Sequence, residues 1–280
     1  MAQQSPPSDD EIRAFQDRLA EKATFPAVGP VVCAVSGGAD SLALLVLARH
    51  VGLAVTAVHV DHGLREHSAD EADVVAEVVA RLGAAFRSER VVVDPGPNLE
   101  ARARAARYAV LPPDVLTGHT LDDQAETMIL NLMRGAGLHG MAGMRSDVRR
   151  PLLGLRRADT HALCDALGLR PVIDPSNDDP AFRRNRVRHE VLPLLAEVAG
   201  RDVASVLARQ AALFANVADL VDAQAATLDP TDAHALAHAP EVLATAAIRR
   251  WLRPLLHGAP PDQATVARVM AVAHGECRAT

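Results

Sequence analysis

The sequence predicts an α/β fold, a parallel sheet with helices on both faces, followed by a small helical domain. Three observations predict it. Strand-like apolar runs alternate with helical runs from residue 30 to about 134, the period of βαβ units. Polar clusters fall where those runs end, after residues 35, 60 and 118, and ligands of such sheets bind outside the carboxyl ends of the strands. From about residue 182 onward the apolar spacing is helical alone. The expected division is a tail and helix over 1–24, the sheet domain over 25–198 and the helical domain over 199–280.

Each element follows from its local pattern. Residues 1–9 read as disordered and a helix follows near 10–22. Strands are expected at VVCAV (31–35), AVTAVHV (54–60), FRSERVVV (86–93) and DVLTGH (114–119), with helices over 41–50, 69–82, 98–110 and 121–134. Residues 135–157 read as a glycine-rich, then basic, connection, and 158–168 as a helix. RPVIDPSNDDP (170–180) reads as a loop, where Asn177 and Asp178 suit tight turns. Amphipathic runs at 202–226 and 240–256 complete the chain, and the closing AVAHGECRAT carries no clear stop signal, so a further C-terminal part is expected.

Composition narrows the class. Of 280 residues, 49% are apolar, enough for a sizeable core. No run of about 18 uncharged apolar residues is seen, so no membrane span is expected. The N-terminal MAQQSPPSDDEIRAF is acidic and lacks an apolar core, so it does not read as a signal peptide. Cys33, Cys164 and Cys277 are far apart with no C-x-x-C pair, which suits free thiols in a reducing cytoplasm and disfavours a zinc ribbon. Cys33, mid-strand, reads as a small core residue. The net charge of −6 ordinarily argues against nucleic acid. Positive charge is nevertheless concentrated: Arg145, Arg149, Arg150, Arg156 and Arg157 form one cluster, and Arg183, Arg184, Arg186 and Arg188 another. A preference for arginine over the single Lys22 explains the residue type but not the clustering.

The chemistry concentrates in Ser36-Gly37-Gly38-Ala39-Asp40-Ser41, between the first strand and its helix. A strand feeding a glycine turn into a helix N-terminus makes an anion site of backbone N–H groups. Gly37 and Gly38 admit close approach, and Ser36 and Ser41 add hydroxyl donors. Asp40 suits an anion site only with a Mg²⁺ ion between them, so the set points to a metal–polyphosphate site. A glycine turn with Asp40 or Ser41 as a helix cap is the plainer reading. G-x-x-x-x-G-K-[ST] is absent.

Five further segments carry polar chemistry, RRPLLGLRRADTHALCDALGL (149–169) among them. HVDHGLREHS (59–68) closes the second strand, and His59 and His62 read equally as site residues and as ordinary loop or core histidines. PNLEARARAARYAVL (97–111) is an arginine-rich amphipathic helix that alone would be a solvated face. In GHTLDDQAETMIL, Thr120 and Asp123 resemble a capping box, yet His119, Asp123 and Glu126 share one face at the mouth of the fourth strand. That face is a candidate metal or cation site without zinc spacing. FRRNRVRHEVLP (182–193) is apolar on one side and cationic on the other.

SGGADS matches the S-G-G-x-D-S signature of the N-type ATP pyrophosphatases, and the segments together, in order over residues 30–195, resemble the tRNA(Ile)-lysidine synthase family. The resemblance implies a Rossmann-like sheet of the PP-loop ATP pyrophosphatase type and a helical substrate-binding domain. It implies a cytoplasmic ligase that uses ATP, Mg²⁺ and free L-lysine on tRNA(Ile) bearing a CAU anticodon. Catalytic roles fall to Asp40, His119, Asp123 and Arg188. ATP would be held by Ser36, Gly37, Gly38, Ala39, Asp40, Ser41, His59, Asp61 and Gly118, with Asp40 as the Mg²⁺ ligand. Lysine or tRNA would meet Asp123, Glu126, Arg104, Arg107, Arg184, Asn185 and Arg188, the lysine α-ammonium resting on Asp123 and Glu126. No membrane partner is expected, and a homodimer stays open. One rival is a tRNA thiolation enzyme on the same loop, which would call for cysteine pairs or an iron–sulfur site. The other is a non-catalytic adenine-nucleotide-binding regulator, which would explain the loop alone.

Overall fold

The computed structural model describes residues 7–61, 68–92, 96, 99–174, 178–256 and 261–276; residues 1–6, His62, Asn177 and Cys277 lie outside them. The first helix, α1 (Asp9–Ala20), starts at a capping box in which the Ser8 backbone N–H donates to Glu11 Oε2 at 2.8 Å. Then come β1 (Pro30–Ala34), α2 (Ala39–His50), β2 (Ala54–Asp61), α3 (Ser68–Arg81), β3 (Ala85–Arg90), α4 (Leu99–Val110) and α5 (Leu121–Met133). The three strands are parallel in the order β1-β2-β3, with Cys33 opposite Ala57 and Val58 opposite Arg87. The alternating period therefore does form a parallel sheet flanked by helices.

The expected fourth strand shrinks to one parallel bridge between Cys33 and Leu116. Leu116 N–H donates to Val32 O at 2.8 Å and Ala34 N–H to Leu116 O at 2.9 Å. Extension fails on both sides for local reasons. Pro112 and Pro113 precede it in a turn closed by Val115 N–H to Pro112 O, and Thr117 N–H turns away to Arg149 O at 2.8 Å.

Helix α2 is buried on nearly every side: Leu42, Leu44, Leu45 and Leu47 are all 0% exposed. At about 1.5–3 kcal/mol for each fully buried leucine, this helix is a stiff base for the turn that starts it. It packs against α7 (Arg157–Ala166), which follows the short helix α6 (Leu138–Met141) and a 3₁₀ turn at Pro151–Gly154. Beyond the loop, α8 (Arg183–Arg186) passes through a π-helical stretch, Val187–Val191, into α9 (Leu192–Ala199).

The remaining helices are α10 (Val203–Ala225), α11 (Ala233–His238), α12 (Glu241–Leu255) and α13 (Gln263–Ala273). Two compact units result, Met1–Gly135 with Gly143–Arg209, and Ala136–Ala142 with Gln210–Thr280. The division falls inside α10 rather than near 198, and residues 136–142 join the second unit, where His139 Nε2 lies 2.9 Å from Asp222 Oδ2. The second unit has its own core of Ala225, Leu236, Ala244, Ala247, Ile248 and Val266. Helix α10 is long and apolar enough to cross a membrane by length and composition only, a test that core helices of soluble proteins also pass.

Candidate active site

The turn after β1 is shaped by backbone needs first. Gly37 has φ +88°, and a Cβ there would stand 2.9 Å from Val172 Cγ2. Val172 N–H donates to Gly37 O at 3.0 Å, so the loop before α8 fixes this turn. Gly38 is the N-cap of α2 and contributes no side-chain cap, which leaves first-turn amides for a ligand. The two hydroxyls also brace the turn: Ser36 Oγ–H donates to Ser41 Oγ at 3.3 Å and Ser41 Oγ–H to Gly38 O at 2.8 Å.

The turn opens into a cavity of about 390 Å³, a usual size for a small-molecule site. Ser36, Gly38, Asp40, Ser41, His59, Arg107, Gly118 and His119 line it, with Tyr108 and Thr117. Gly118 is required by close approach, since a Cβ there would lie 2.6 Å from the Asp40 carbonyl oxygen. His59 is buried and its Nδ1–H donates to Val35 O at 2.9 Å, so it serves the core as well as the cavity wall. His119 Nδ1 lies 2.7 Å from Thr117 Oγ1. Burial pushes the His119 imidazole down to about 4, against the pull of Asp123 and with Arg104, Arg184 and Arg150 adding to the fall. It is neutral at pH 7.

A second cluster lies behind Asp40. Glu126 has no exposed surface, and it accepts from Arg157 Nη1 at 3.1 Å, Arg184 Nε at 2.8 Å and Arg188 Nε at 2.7 Å. Asp123 accepts from Arg157 Nη2 at 2.9 Å and from the Thr120 N–H at 2.8 Å. Arg157 reaches a third carboxylate through Nε, 3.4 Å from Asp40 Oδ2, while Thr160 Oγ1–H donates to Asp40 Oδ1 at 2.5 Å. Burial raises the Asp123 carboxyl, but Arg157, the Thr120 amide and Arg184 outweigh it and hold the group below the usual carboxylate range. For Asp40 burial wins: its carboxyl is raised despite Thr160 and Arg157, with Asp123 adding to the rise. Burial would lower the Arg157 guanidinium, yet Asp123, Glu126 and Asp40 together raise it.

The residues singled out from the sequence thus divide. Asp40, Ser36, Gly38, Ser41, His59, Gly118, His119 and Arg107 come together around the cavity, and Gly37 and Ala39 shape its turn. Asp123, Glu126, Arg184 and Arg188 form the charge cluster instead. Asp123 is at once a capping-box residue and a cluster member. Asp61 stands at the end of β2, 3.9 Å from Arg90 Nε, outside the cavity lining. Arg104 is exposed with its guanidinium 5.0 Å from the Tyr108 ring centre.

Three expectations change. Asp123 and Glu126 are not open carboxylates, because three guanidiniums already neutralise them. Arg184 and Arg188 turn inward to Glu126 rather than outward to an RNA phosphate, since the carboxylate is buried and needs partners. Asn185 is buried and spends its amide on Asp179 O at 2.9 Å, anchoring the preceding loop. Arg157 and Thr160 were missed as site residues. Both lie in the segment RRPLLGLRRADTHALCDALGL, but no local pattern pairs either with Asp40.

Among the described residues no three His, Cys, Asp or Glu side chains gather as a metal site. Of the two carboxylates that line the cavity, Asp40 and Asp174, Asp40 stands in the glycine turn and fits Mg²⁺, which is commonly held by one or two carboxylates with substrate phosphates completing the shell.

Comparison with known proteins agrees with this geometry. The PP-loop domain family matches residues 12–195. The tRNA(Ile)-lysidine synthase of Nocardia farcinica is 46% identical over 257 residues, covering 85% of this chain and 80% of the relative. That of Thermobifida fusca is 41% identical over 274 residues, 89% of this chain and 83% of the relative. Among solved structures, a U34-tRNA thiolase, NcsA from Methanococcus maripaludis, shares the fold with a TM-score of 0.56 at 17% identity, over 71% of this chain and 78% of that chain. The glycine turn, the cavity above it and this breadth of identity lead to one conclusion: the chain belongs to the tRNA(Ile)-lysidine synthase family of PP-loop proteins.

Proposed function

We propose that this chain is an ATP-dependent ligase joining lysine to C2 of the wobble cytidine in tRNA(Ile) with a CAU anticodon. The observation that carries the reading is the Ser36–Ser41 turn opening into its cavity, in a chain 46% identical to a tRNA(Ile)-lysidine synthase. The C2 oxygen of cytosine attacks the α-phosphorus of ATP and pyrophosphate leaves. The ε-amine of lysine then attacks C2 and loses a proton, and AMP departs with the former C2 oxygen.

The first-turn amides of α2, with Ser36 and Ser41, receive the pyrophosphate, and backbone N–H groups aimed at a developing anion lower the barrier. Asp40 would hold Mg²⁺, which supplies further neutralisation of the leaving group. His119, neutral at pH 7, offers a hydrogen bond at the cavity wall without adding charge. The cytosine must leave the anticodon stack to enter the cavity. The exposed Arg183 and Arg186 suit flanking phosphates. Lysine would be held at Asp123 and Glu126 by exchanging its α-ammonium for one of the bound guanidiniums. Cys33 and Cys164 are free, buried and pushed up to about 12 by burial, which suits a reducing cytoplasm.

Among the described residues those protonated thiols also weigh against thiolation by cysteine chemistry. The decisive measurement is mass spectrometry of the anticodon after incubating tRNA(Ile) with the protein, ATP, Mg²⁺ and lysine. A mass increase of one lysine less one water supports the reading. Binding of ATP without RNA-dependent pyrophosphate release would favour a regulator, and sulfur incorporation a thiolase.

A further inference from the structure

Asp40 lines the cavity, yet it is gripped by two residues that do not. Both of its oxygens are engaged by the first turn of α7: Oδ2 faces Arg157 Nε at 3.4 Å and Oδ1 accepts from Thr160 Oγ1–H at 2.5 Å. Thr160 is fully buried, and its hydroxyl also lies 2.8 Å from Arg157 O, inside its own helix. Arg157 is fixed in turn, since its other two nitrogens are spent on Glu126 and Asp123. Residues three apart on a helix share a face, so the two donors form one rigid fork. The backbone of Asp40 is set independently by the close approach of Gly118.

We infer that Arg157 and Thr160 are positioning residues whose shared task is to aim the Asp40 carboxylate at the metal–nucleotide cavity. Each carboxylate oxygen can accept more than one bond. The fork uses one direction on each oxygen and leaves the others for the cavity that Asp40 lines. Without it, a carboxylate on a single-turn stem would sample several rotamers, and metal binding would lose that ordering entropy. Neither residue lines the cavity, so neither is expected to touch the nucleotide.

The inference rests on the nucleotide reading of the cavity, and its test separates the two. The variants are Thr160→Val, which keeps the buried shape and removes the hydroxyl, and Arg157→Lys, whose single ammonium cannot meet three carboxylates with the same fork. Calorimetry measures the Kd of a non-hydrolysable ATP analogue, α,β-methylene ATP, in Mg²⁺ and in EDTA, with Tm as the control for folding. The wild-type protein should bind more tightly in Mg²⁺. Both variants should weaken binding in Mg²⁺ about tenfold, the scale of one hydrogen bond to a charged group, with little change in EDTA. Equal Kd values for wild type and variants in Mg²⁺ would overturn the inference. So would equal losses in both media, which would make the fork a support for the turn as a whole. No analogue binding by the wild-type protein would instead remove the nucleotide reading itself.

Discussion

Arg188 Nε donates to Glu126 Oε1 at 2.7 Å, although Glu126 has no exposed surface and already holds Arg157 and Arg184. One buried carboxylate therefore organises guanidiniums from α7, α8 and the π-helical stretch after it. Such a cluster is weak evidence for net stability, because desolvating the charges offsets much of their attraction. Removing one partner is a different matter: the others remain partly buried with less opposite charge to meet. The Asp123–Glu126 pair is thus both the base of the cavity-facing residue Asp40, through Arg157, and the inner anchor of the arginine helix.

Glu126→Gln tests that role. The amide keeps the shape but leaves three guanidiniums facing a neutral group and Asp123. The expected cost is about 3–5 kcal/mol, the range for breaking a buried pair. Differential scanning calorimetry should show the transition of the catalytic unit falling by roughly 10 °C. RNA-dependent pyrophosphate release and lysine transfer should fall together. Loss of lysine transfer alone, at unchanged Tm, would mean that Glu126 serves lysine binding and not the stability of the cluster.

Gly118→Ala adds one methyl group against backbone. Its Cβ would stand 2.6 Å from Asp40 O and 3.1 Å from Ser41 N, so the start of α2 must move. Overpacking of this kind costs about 1–3 kcal/mol. Nucleotide binding should suffer more than stability, because the displaced atoms belong to the turn. Isothermal titration with ATP checks this against Gly52→Ala, where φ is +86° but no atom lies within 4 Å. The control should lose stability and keep ATP affinity.

His119 gives a pH dependence with a definite sign. Its imidazole is depressed from 6.5 to about 4 in the folded protein. As pH falls, the unfolded chain takes up this proton first, so the contribution of neutral His119 is full above pH 6.5 and lost progressively towards pH 4. Stability should therefore rise with pH across that window. His119→Gln should flatten this part of the Tm-against-pH curve, and imidazole NMR should show His119 neutral at pH 6. A resonance titrating near 6.5 would remove the argument.

Much of this site was legible in the sequence, for a physical reason. A phosphate turn is local: strand, two glycines, acid and helix are contiguous, so Ser36–Ser41 could be read directly and it does border the cavity. The sheet was legible through its alternation, except at Leu116, where Pro112 and Pro113 cut the run to one bridge. Pairing between distant side chains was not legible. Arg157 and Asp40 are 117 residues apart and Arg188 and Glu126 are 62 apart, and no local pattern says which acid an arginine will meet. Charge clustering identified the arginines, but burial decided which way they turned.

That decision yields the last prediction, a contrast between α8 and the π-helical stretch that follows it. Arg183 is exposed, whereas Arg188 is partly buried and bound to Glu126. If RNA phosphates lie along the outer face, Arg183→Ala should weaken tRNA binding uniformly and reduce the slope of log affinity against log salt by about 1 per lost contact. Its Tm should stay near the wild-type value, since an exposed side chain away from other features seldom matters to stability. Arg188→Ala should do the reverse. It removes one of the donors to Glu126, so Tm should fall while the salt slope stays the same, and turnover should drop through the disturbed cluster. Fluorescence anisotropy with labelled tRNA over a salt series, alongside thermal denaturation, reads both quantities. A reduced salt slope for Arg188→Ala with unchanged Tm would mean that Arg188 leaves Glu126 for a phosphate when RNA binds. A flat result for Arg183→Ala would make the outer face of the helix ordinary solvated surface.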